Sequence, residues 1–389
     1  MKHEIIIMAV GAHAQPWGAI SVYEYLKQEC HDVGFLHLYD GISGLDTIAR
    51  PPWIVGLSTY TTTAPQTMRT AREIRKRWPN TKIVVGGRHI CRDVIDRDGD
   101  EWFAVADYLV TGDGEYAMNK IVAGEVQPGV VKGTWLSAED LNRLPLPSRE
   151  FAARNFPAHY REGLLFSRGC PYRCTFCGNG RPHVIHIDPE RAARYMVDWA
   201  QWCGKLPIFI MDDVFTADRK WLVAFADSYA THAPEIPIKC FIHGRQFDES
   251  LVGILKRFKL AQVSLGAESG NDGILQTLNK GTTVAKYRQI ASLCRRENIH
   301  LHCLWMVGHP GETPMTLRET VAAARELGDD AGHASLAIPF PGTQFWHQAK
   351  TTGEILDWDY SHWDNQHVIF KPHGVRTGQL KAAQKEILR

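Results

Sequence analysis

The sequence predicts an α/β protein in two parts: an open parallel sheet, then a partial (β/α)6 barrel with a short C-terminal extension. Three observations predict it. Short apolar runs alternate with amphipathic stretches over residues 1–135, and strands spaced by helices imply a parallel sheet with helices on both faces. A second series of six strand–helix units over 161–343 fits an incomplete barrel better than another open sheet. Finally, 389 residues, 44% of them hydrophobic, are too many for one ordinary domain and enough for two cores.

The elements follow in order. Ile5-Ile6-Ile7-Met8-Ala9-Val10 reads as a buried strand running into a loop at 11–18 that holds His13. Residues 20–29 have helical spacing, with Ile20, Tyr23 and Leu26 on one side. Residues 35–39 make a second strand and Trp53-Ile54-Val55-Gly56-Leu57-Ser58 a third. An amphipathic helix at 65–78 is stopped by Pro79. Its basic run, 72–77, reads as a solvated face. Lys82-Ile83-Val84-Val85-Gly86-Gly87 is the fourth strand and its turn, and Asp107-Tyr108-Leu109-Val110 the fifth, entering Gly112-Asp113-Gly114-Glu115. This is a flavodoxin- or Rossmann-like sheet, whose ligands lie over the carboxyl ends of the strands. Ser58, Thr59, Gly86, Gly87, Gly112, Gly114 and Glu115 fall at those ends.

Residues 136–160 read as a linker, with Glu139, Asp140, Asn142, Pro145, Pro147 and Ser148 around Leu141 and Leu144. Barrel strands are expected at 164–166, 208–210, 239–242, 262–265, 302–307 and 334–338, with helices at 192–202, 221–230, 251–258, 284–297 and 316–327. The extension, 344–389, is aromatic and irregular, then helical from Thr377. Its Trp346, Trp358, Tyr360 and Trp363 either line the barrel mouth or pack in a core.

Lys plus Arg total 44 against 43 acidic residues, a formal charge of +1. A protein that grips nucleic acid through a broad cationic surface is therefore not expected. No apolar run approaches the roughly 20 residues that span a bilayer. The N-terminus lacks a signal-peptide cleavage pattern, so the expected location is the cytoplasm.

Nine cysteines are an odd count that suits no closed disulfide framework. Three of them, Cys170, Cys174 and Cys177, form C-x3-C-x2-C directly after an apolar strand. Thiolates are the ligands that iron–sulfur clusters favour. Three from one loop can hold three irons of a [4Fe–4S] cube and leave the fourth iron without a protein ligand. Zinc, helped by His183 or His186, is the competing reading. A structural zinc normally takes four protein ligands, and no second C-x2-C lies elsewhere.

With Phe176 before the third cysteine, the stretch Phe166-Ser167-Arg168-Gly169-Cys170-Pro171-Tyr172-Arg173-Cys174-Thr175-Phe176-Cys177 resembles the radical S-adenosylmethionine superfamily. The resemblance implies that Cys170, Cys174 and Cys177 ligate the cluster and that S-adenosylmethionine chelates the open iron through its amino and carboxylate groups. An electron from the reduced cluster then cleaves the sulfonium, and the 5′-deoxyadenosyl radical removes a hydrogen atom from an unactivated position. Phe176 would pack near the adenine. Ile210-Met211-Asp212-Asp213-Val214-Phe215 stands where the family has a glycine-glycine-glutamate strand end. Paired aspartates replace it here, so Asp212 or Asp213 would take the ammonium group, unless Asp213 merely caps a helix. Arg245, in His243-Gly244-Arg245, suits the carboxylate or an ordinary surface ion pair.

Gly266-Ala267-Glu268-Ser269-Gly270 resembles the family's G-x-E-S-G turn, placing Ser264, Glu268 and Ser269 near the ribose or methionine end. Gly308-His309-Pro310-Gly311-Glu312-Thr313 resembles G-x-P-G-E-T near the adenine and ribose, with Glu312 either a contact or a helix cap. Pro339-Phe340-Pro341-Gly342-Thr343 resembles the P-x-P-G-T after the sixth strand.

The strand ends of the first part resemble the cobalamin-binding domain that precedes many of these enzymes. Small residues there let a flat corrin approach the backbone. The D-x-H-x-x-G motif that supplies a lower axial histidine elsewhere is absent, and the loop at 11–18 has neither its aspartate nor its spacing. No histidine–cobalt bond is expected, and His13 reads as an ordinary loop residue. The resemblance thus implies an enzyme using a [4Fe–4S] cluster, S-adenosylmethionine and cobalamin to methylate an unactivated carbon, or phosphorus, of a small molecule. A reductant such as flavodoxin or ferredoxin would be its partner. The other readings are cyclisation, oxidation or rearrangement without methyl transfer, a radical enzyme that has lost its corrin, and a non-catalytic electron carrier or redox sensor.

Overall fold

β1 (Ile5–Val10) is buried along its whole length, as a strand covered on both faces must be. The computed structural model describes residues 4–11, 16–29, 31–39, 41–156, 161–204, 207–328 and 333–389. In it, β1 lies within a six-stranded sheet with β2 (Val33–Leu38), β3 (Ile54–Ser58), β4 (Lys82–Gly86), β5 (Tyr108–Thr111) and β6 (Gly129–Lys132), in the order β2-β1-β3-β4-β5-β6. All five pairings are parallel. The strand order reverses between β1 and β3, so the ligand crevice of an open α/β sheet falls at their carboxyl ends. β6 is absent from the sequence reading because it is a four-residue edge strand whose Val130 is 51% exposed. It carries no periodic signal.

The helix Ala64–Arg77 buries Thr67, Met68, Ala71 and Ile74 and turns its basic run outward. That run is not idle. Arg75 reaches Asp107 at 2.7 Å, and the same carboxylate oxygen accepts the Ile83 N–H, so one ion pair ties the helix to β4 and β5.

The chain divides into two compact units, the first ending at Arg161 and the second beginning at Glu162. The stretch read as a linker carries two short helices, Ala138–Arg143 capped by Ser137 and Arg149–Asn155 capped by Ser148. Phe151 on the latter stacks on Tyr23 at 5.1 Å and meets Phe35 edge-on at 5.1 Å, so these residues belong to the core of the first unit.

In the second unit, β7 (Gly163–Leu164), a hairpin of β8 (Ser167–Arg168) and β9 (Ile185–His186), β10 (Ile208–Ile210), β11 (Ile238–Ile242), β12 (Leu260–Glu268), β13 (Leu301–Val307) and β14 (His333–Leu336) follow in sequence. Leaving out the hairpin, they pair in parallel as β7-β10-β11-β12-β13-β14, a partial barrel of six strands. Each expected barrel strand is present. The first is shorter than expected, because the Phe166 and Ser167 N–H groups turn to the Asp212 carboxylate instead of a neighbouring strand. Asp188, Asp218, Asp248, Thr283 and Thr313 cap the helices that follow.

The extension holds a helix (Gln344–Thr352), an antiparallel pair of β15 (Gly353–Ile355) and β16 (Phe370–Pro372), and a final helix (Thr377–Ile387). Trp363 is fully buried with Ile338 and Ile369 and takes Trp346, Trp358 and Tyr360 around it. For Trp363, core packing is the outcome. Among the described residues no helix is long and apolar enough to cross a membrane.

Truncating Phe151 to Ala is expected to cost the first unit about 3–5 kcal/mol, read as a lower denaturant midpoint. A loss under about 1 kcal/mol would show that residues 136–156 hang loosely on the sheet.

Candidate active site

The cysteine loop has little regular structure of its own and is held from outside. The Cys170 N–H donates to the Arg181 carbonyl at 3.1 Å, the Thr175 N–H to the Leu278 carbonyl at 3.0 Å, and Asn279 Nδ2 to the Arg173 carbonyl at 2.8 Å. Gly169, at φ +99°, lets the chain double back, since a Cβ there would stand 2.3 Å from the His183 carbonyl oxygen. Cys170 and Cys174 are half-buried and Cys177 is exposed. Burial pushes the Cys174 thiol up to about 11, with Lys280 opposing it.

At the root of the loop sits Asp212. It is fully buried, and its Oδ1 accepts the N–H groups of Phe166 at 2.7 Å and Ser167 at 3.1 Å. Its Oδ2 has no hydrogen-bond partner, and burial pushes the carboxyl up to about 6. Asp213 points outward and accepts from Asn179 Nδ2 at 2.6 Å. Arg245 is exposed beside Gly281. Its backbone N–H donates to His243 Nδ1, which leaves the proton of the neutral ring on Nε2. That nitrogen is unpartnered, burial holds His243 down at about 3, and the ring stacks on Tyr172 at 3.5 Å. The Tyr172 hydroxyl is likewise buried without a partner.

β12 ends on Glu268, whose φ of +63° is left-handed and whose pairing with β13 shifts register there. The Glu268 carboxylate binds Lys280 at 2.8 Å in a nearly dry ion pair. Ser269 is fully buried, and its hydroxyl serves the turn through Thr320 and the Asn271 N–H. Ser264 is buried within β12 and accepts from Gln262. At the end of β13, Glu312 Oε2 accepts the N–H groups of Gly308 at 2.5 Å and His309 at 3.1 Å, while its Oε1 is unpartnered. Both ring nitrogens of the fully buried His309 are also unpartnered, and the ring lies 6.0 Å from that of Phe176.

In the first unit, Ser58 and Gly86 are register partners at the ends of β3 and β4. A Cβ at Gly87, φ +102°, would stand 2.4 Å from the Thr59 carbonyl oxygen. Thr59 is fully buried, its hydroxyl accepting from Thr67 at 3.0 Å. Gly112, φ +78°, turns the chain after β5, and Gly114 precedes the helix Glu115–Val122. Glu115 faces inward and accepts the Ser21 hydroxyl at 2.6 Å. His13 lies outside the described residues.

Comparison with known proteins separates the two units. A radical SAM superfamily model matches residues 164–324 and a B12 binding domain model matches residues 4–122. The chain is a radical S-adenosylmethionine enzyme with a B12-binding domain. An uncharacterized methyltransferase, PH0819 of Pyrococcus horikoshii, is 23% identical to this radical enzyme over 89% of the chain and 81% of its own length. The anaerobic magnesium-protoporphyrin IX monomethyl ester cyclase of Cereibacter sphaeroides is 25% identical over 82% of the chain, which spans 55% of that cyclase. The fold is that of the radical S-adenosylmethionine methyltransferase TsrM from Kitasatospora setae, solved with cobalamin and a [4Fe–4S] cluster (TM-score 0.68, 17% identity, 99% of this chain and 85% of TsrM).

The radical enzyme's own residues fit the cofactors of its class. Three soft thiols on one strapped loop match a cluster. Among the described residues no three His, Cys, Asp or Glu side chains converge on a single-ion site, whereas thiols serving separate irons need not converge. Unpartnered buried atoms on Asp212, His243, His309 and Glu312 offer hydrogen bonds to a polar molecule at the barrel mouth, since such atoms are normally satisfied. Gly87 lets the turns after β3 and β4 pack closely at the carboxyl edge of the first sheet, the edge over which such sheets bind ligands. Lys280, Tyr172, His243 and His309 were not singled out from sequence. Only His309 carried a signal, as the variable residue inside a recognised turn.

Burial pushes the Glu312 carboxyl up to about 8, against the two N–H groups that oppose the shift. An unfolded glutamate ionises near about 4.3, so its contribution to stability is complete below that pH and is lost as pH rises through about 8. The difference between wild-type and Glu312→Gln unfolding midpoints should therefore change across pH 5–9, Gln gaining at the alkaline end. A constant difference would refute the shift.

Proposed function

We propose that this enzyme methylates an unactivated carbon, or a phosphorus, of a small-molecule substrate, with Cys170, Cys174 and Cys177 as the cluster ligands. The observation that carries the reading is the pairing of that externally strapped thiol loop in one unit with the glycine–threonine strand ends of a B12-binding sheet in the other. When bound, the cluster and S-adenosylmethionine supply hydrogen-atom abstraction, and cobalamin supplies the methyl group. Asp213, outward at the end of β10 and close enough to Cys170 to influence its thiol, receives the ammonium group of S-adenosylmethionine. Asp212 is the post behind it that fixes where the loop starts. Arg245 takes the carboxylate, and Phe176 packs on the adenine with Glu312 and the turn at 308–311 beside it. Ser58, Gly86, Gly87, Gly112 and Gly114 would form the corrin-facing rim, with the buried Thr59 supporting it from beneath. Glu115 supports that rim from the core. A flavodoxin or ferredoxin supplies the electron.

Methyl transfer is supported by the methyltransferase of Pyrococcus horikoshii, most of whose length this chain covers, and by the fold shared with TsrM. Cyclisation without methyl transfer is the second reading, favoured by the likeness to the Cereibacter cyclase.

Anaerobically reconstituted protein should bind one cluster and cleave S-adenosylmethionine to 5′-deoxyadenosine under reducing conditions. The triple Cys170, Cys174 and Cys177→Ala variant should lose both iron and cleavage, and an unaffected variant sinks the ligand assignment. Asp213→Asn should keep the cluster but bind S-adenosylmethionine at least about tenfold more weakly, the loss expected for one charged hydrogen bond. Protein purified with hydroxocobalamin should retain the corrin absorption. A corrin-free spectrum at micromolar protein removes cobalamin, and methyl transfer with it.

A further inference from the structure

Beside the cysteine loop, the segment between the helices Asp272–Thr277 and Val284–Arg296 carries a buried cation. Lys280 Nζ lies 2.8 Å from Glu268 Oε1, with the two side chains 6% and 10% exposed. It also stands 5.7 Å from the centre of the Phe176 ring, next in sequence to Cys177. The space for the pair exists because residue 266 is glycine: a Cβ there would lie 2.9 Å from Nζ and 2.7 Å from Glu268 Oε1. The segment carrying Lys280 is the one strapped to the loop, through the Leu278 carbonyl and the Asn279 amide. Burial works to remove the ammonium proton, but the Glu268 carboxylate opposes it, and the amine is held above its ordinary value.

We propose that Lys280 is a positioning residue that raises the reduction potential of the [4Fe–4S] cluster, with Glu268 as the anchor that holds its charge in place. The proposal rests on Cys170, Cys174 and Cys177 being the ligands. A cluster on three thiolates is anionic, and reducing it adds one more negative charge with no bond made or broken. The electron comes from the external flavodoxin or ferredoxin, and Lys280 keeps its proton. A cation in a dry site favours that added charge far more than one in water does. The left-handed backbone of Glu268 and the bare Gly266 are then the local distortions that aim the pair.

The test is an anaerobic redox titration followed by electron paramagnetic resonance, without S-adenosylmethionine, on wild type, K280M, K280R and E268Q, with iron and sulfide counted in each. K280M should keep its iron while its ratio of reduced to oxidised cluster at the wild-type midpoint falls about tenfold, equal to about 59 mV for a one-electron couple. K280R should stay near wild type. E268Q, which removes the opposing charge, should shift the other way. A fully loaded K280M at the wild-type potential overturns the proposal. If that variant also bound S-adenosylmethionine weakly, Lys280 would be a cofactor-carboxylate contact instead. Should K280M not retain a cluster, E268Q decides, and an unshifted or lowered potential there overturns the proposal. Retention of iron by the cysteine variant would instead fell the ligand assignment, a separate result.

Discussion

Charge buried away from water governs the barrel mouth. Asp212, Glu268, Lys280 and Glu312 are all nearly or fully removed from solvent, and an isolated ion in such a place is prohibitively costly. Each is handled differently. Asp212 and Glu312 each satisfy one oxygen with two backbone N–H groups and are pushed toward their neutral forms. Glu268 and Lys280 neutralise each other, a pair that costs about 3–5 kcal/mol to break from one side. The strand ends, the loop root and the fifth-strand turn take their shapes from these settlements.

Two of these devices also explain how distant segments come to share one site. Asp212, on the end of β10, fixes the point where the chain leaves β7. Residues 278–281, after β12, lie against the tip of the same loop. A stretch with three thiols is thereby located by elements 35 to 110 positions further along, which the parallel pairing of the partial barrel brings to one end of the sheet.

Much of this was legible beforehand, for identifiable reasons. β1, β3 and β4 are nearly continuous apolar runs, the pattern that double burial imposes, while β11 and β13 alternate buried and half-buried residues between polar turns. The cysteine spacing and the turns at 266–270 and 308–313 are local in sequence, so their chemistry is visible without a fold. What stayed hidden is non-local. Nothing about Lys280 distinguishes it from a surface lysine until Glu268 and Gly266 are placed beside it. Glu115 and Ser269 sit where cofactor contacts belong and turn out to face inward, because direction around a helix or turn is not encoded by proximity to a motif. Residues 136–160 read as a connector since their few apolar residues show no period, yet Phe151 completes an aromatic cluster with Tyr23 and Phe35.

The cysteine loop is gripped largely by main-chain atoms: the carbonyls of Arg181, His183 and Leu278 receive or face it, and its own Arg173 carbonyl receives Asn279. Contacts of that kind are indifferent to which side chains the loop displays. Pro171 and Arg173 are thus free to drift over generations without loosening the three sulfurs, provided no proline arrives at Thr175, whose amide hydrogen is needed. A lineage can in this way remodel what surrounds a reactive centre while leaving the centre itself untouched.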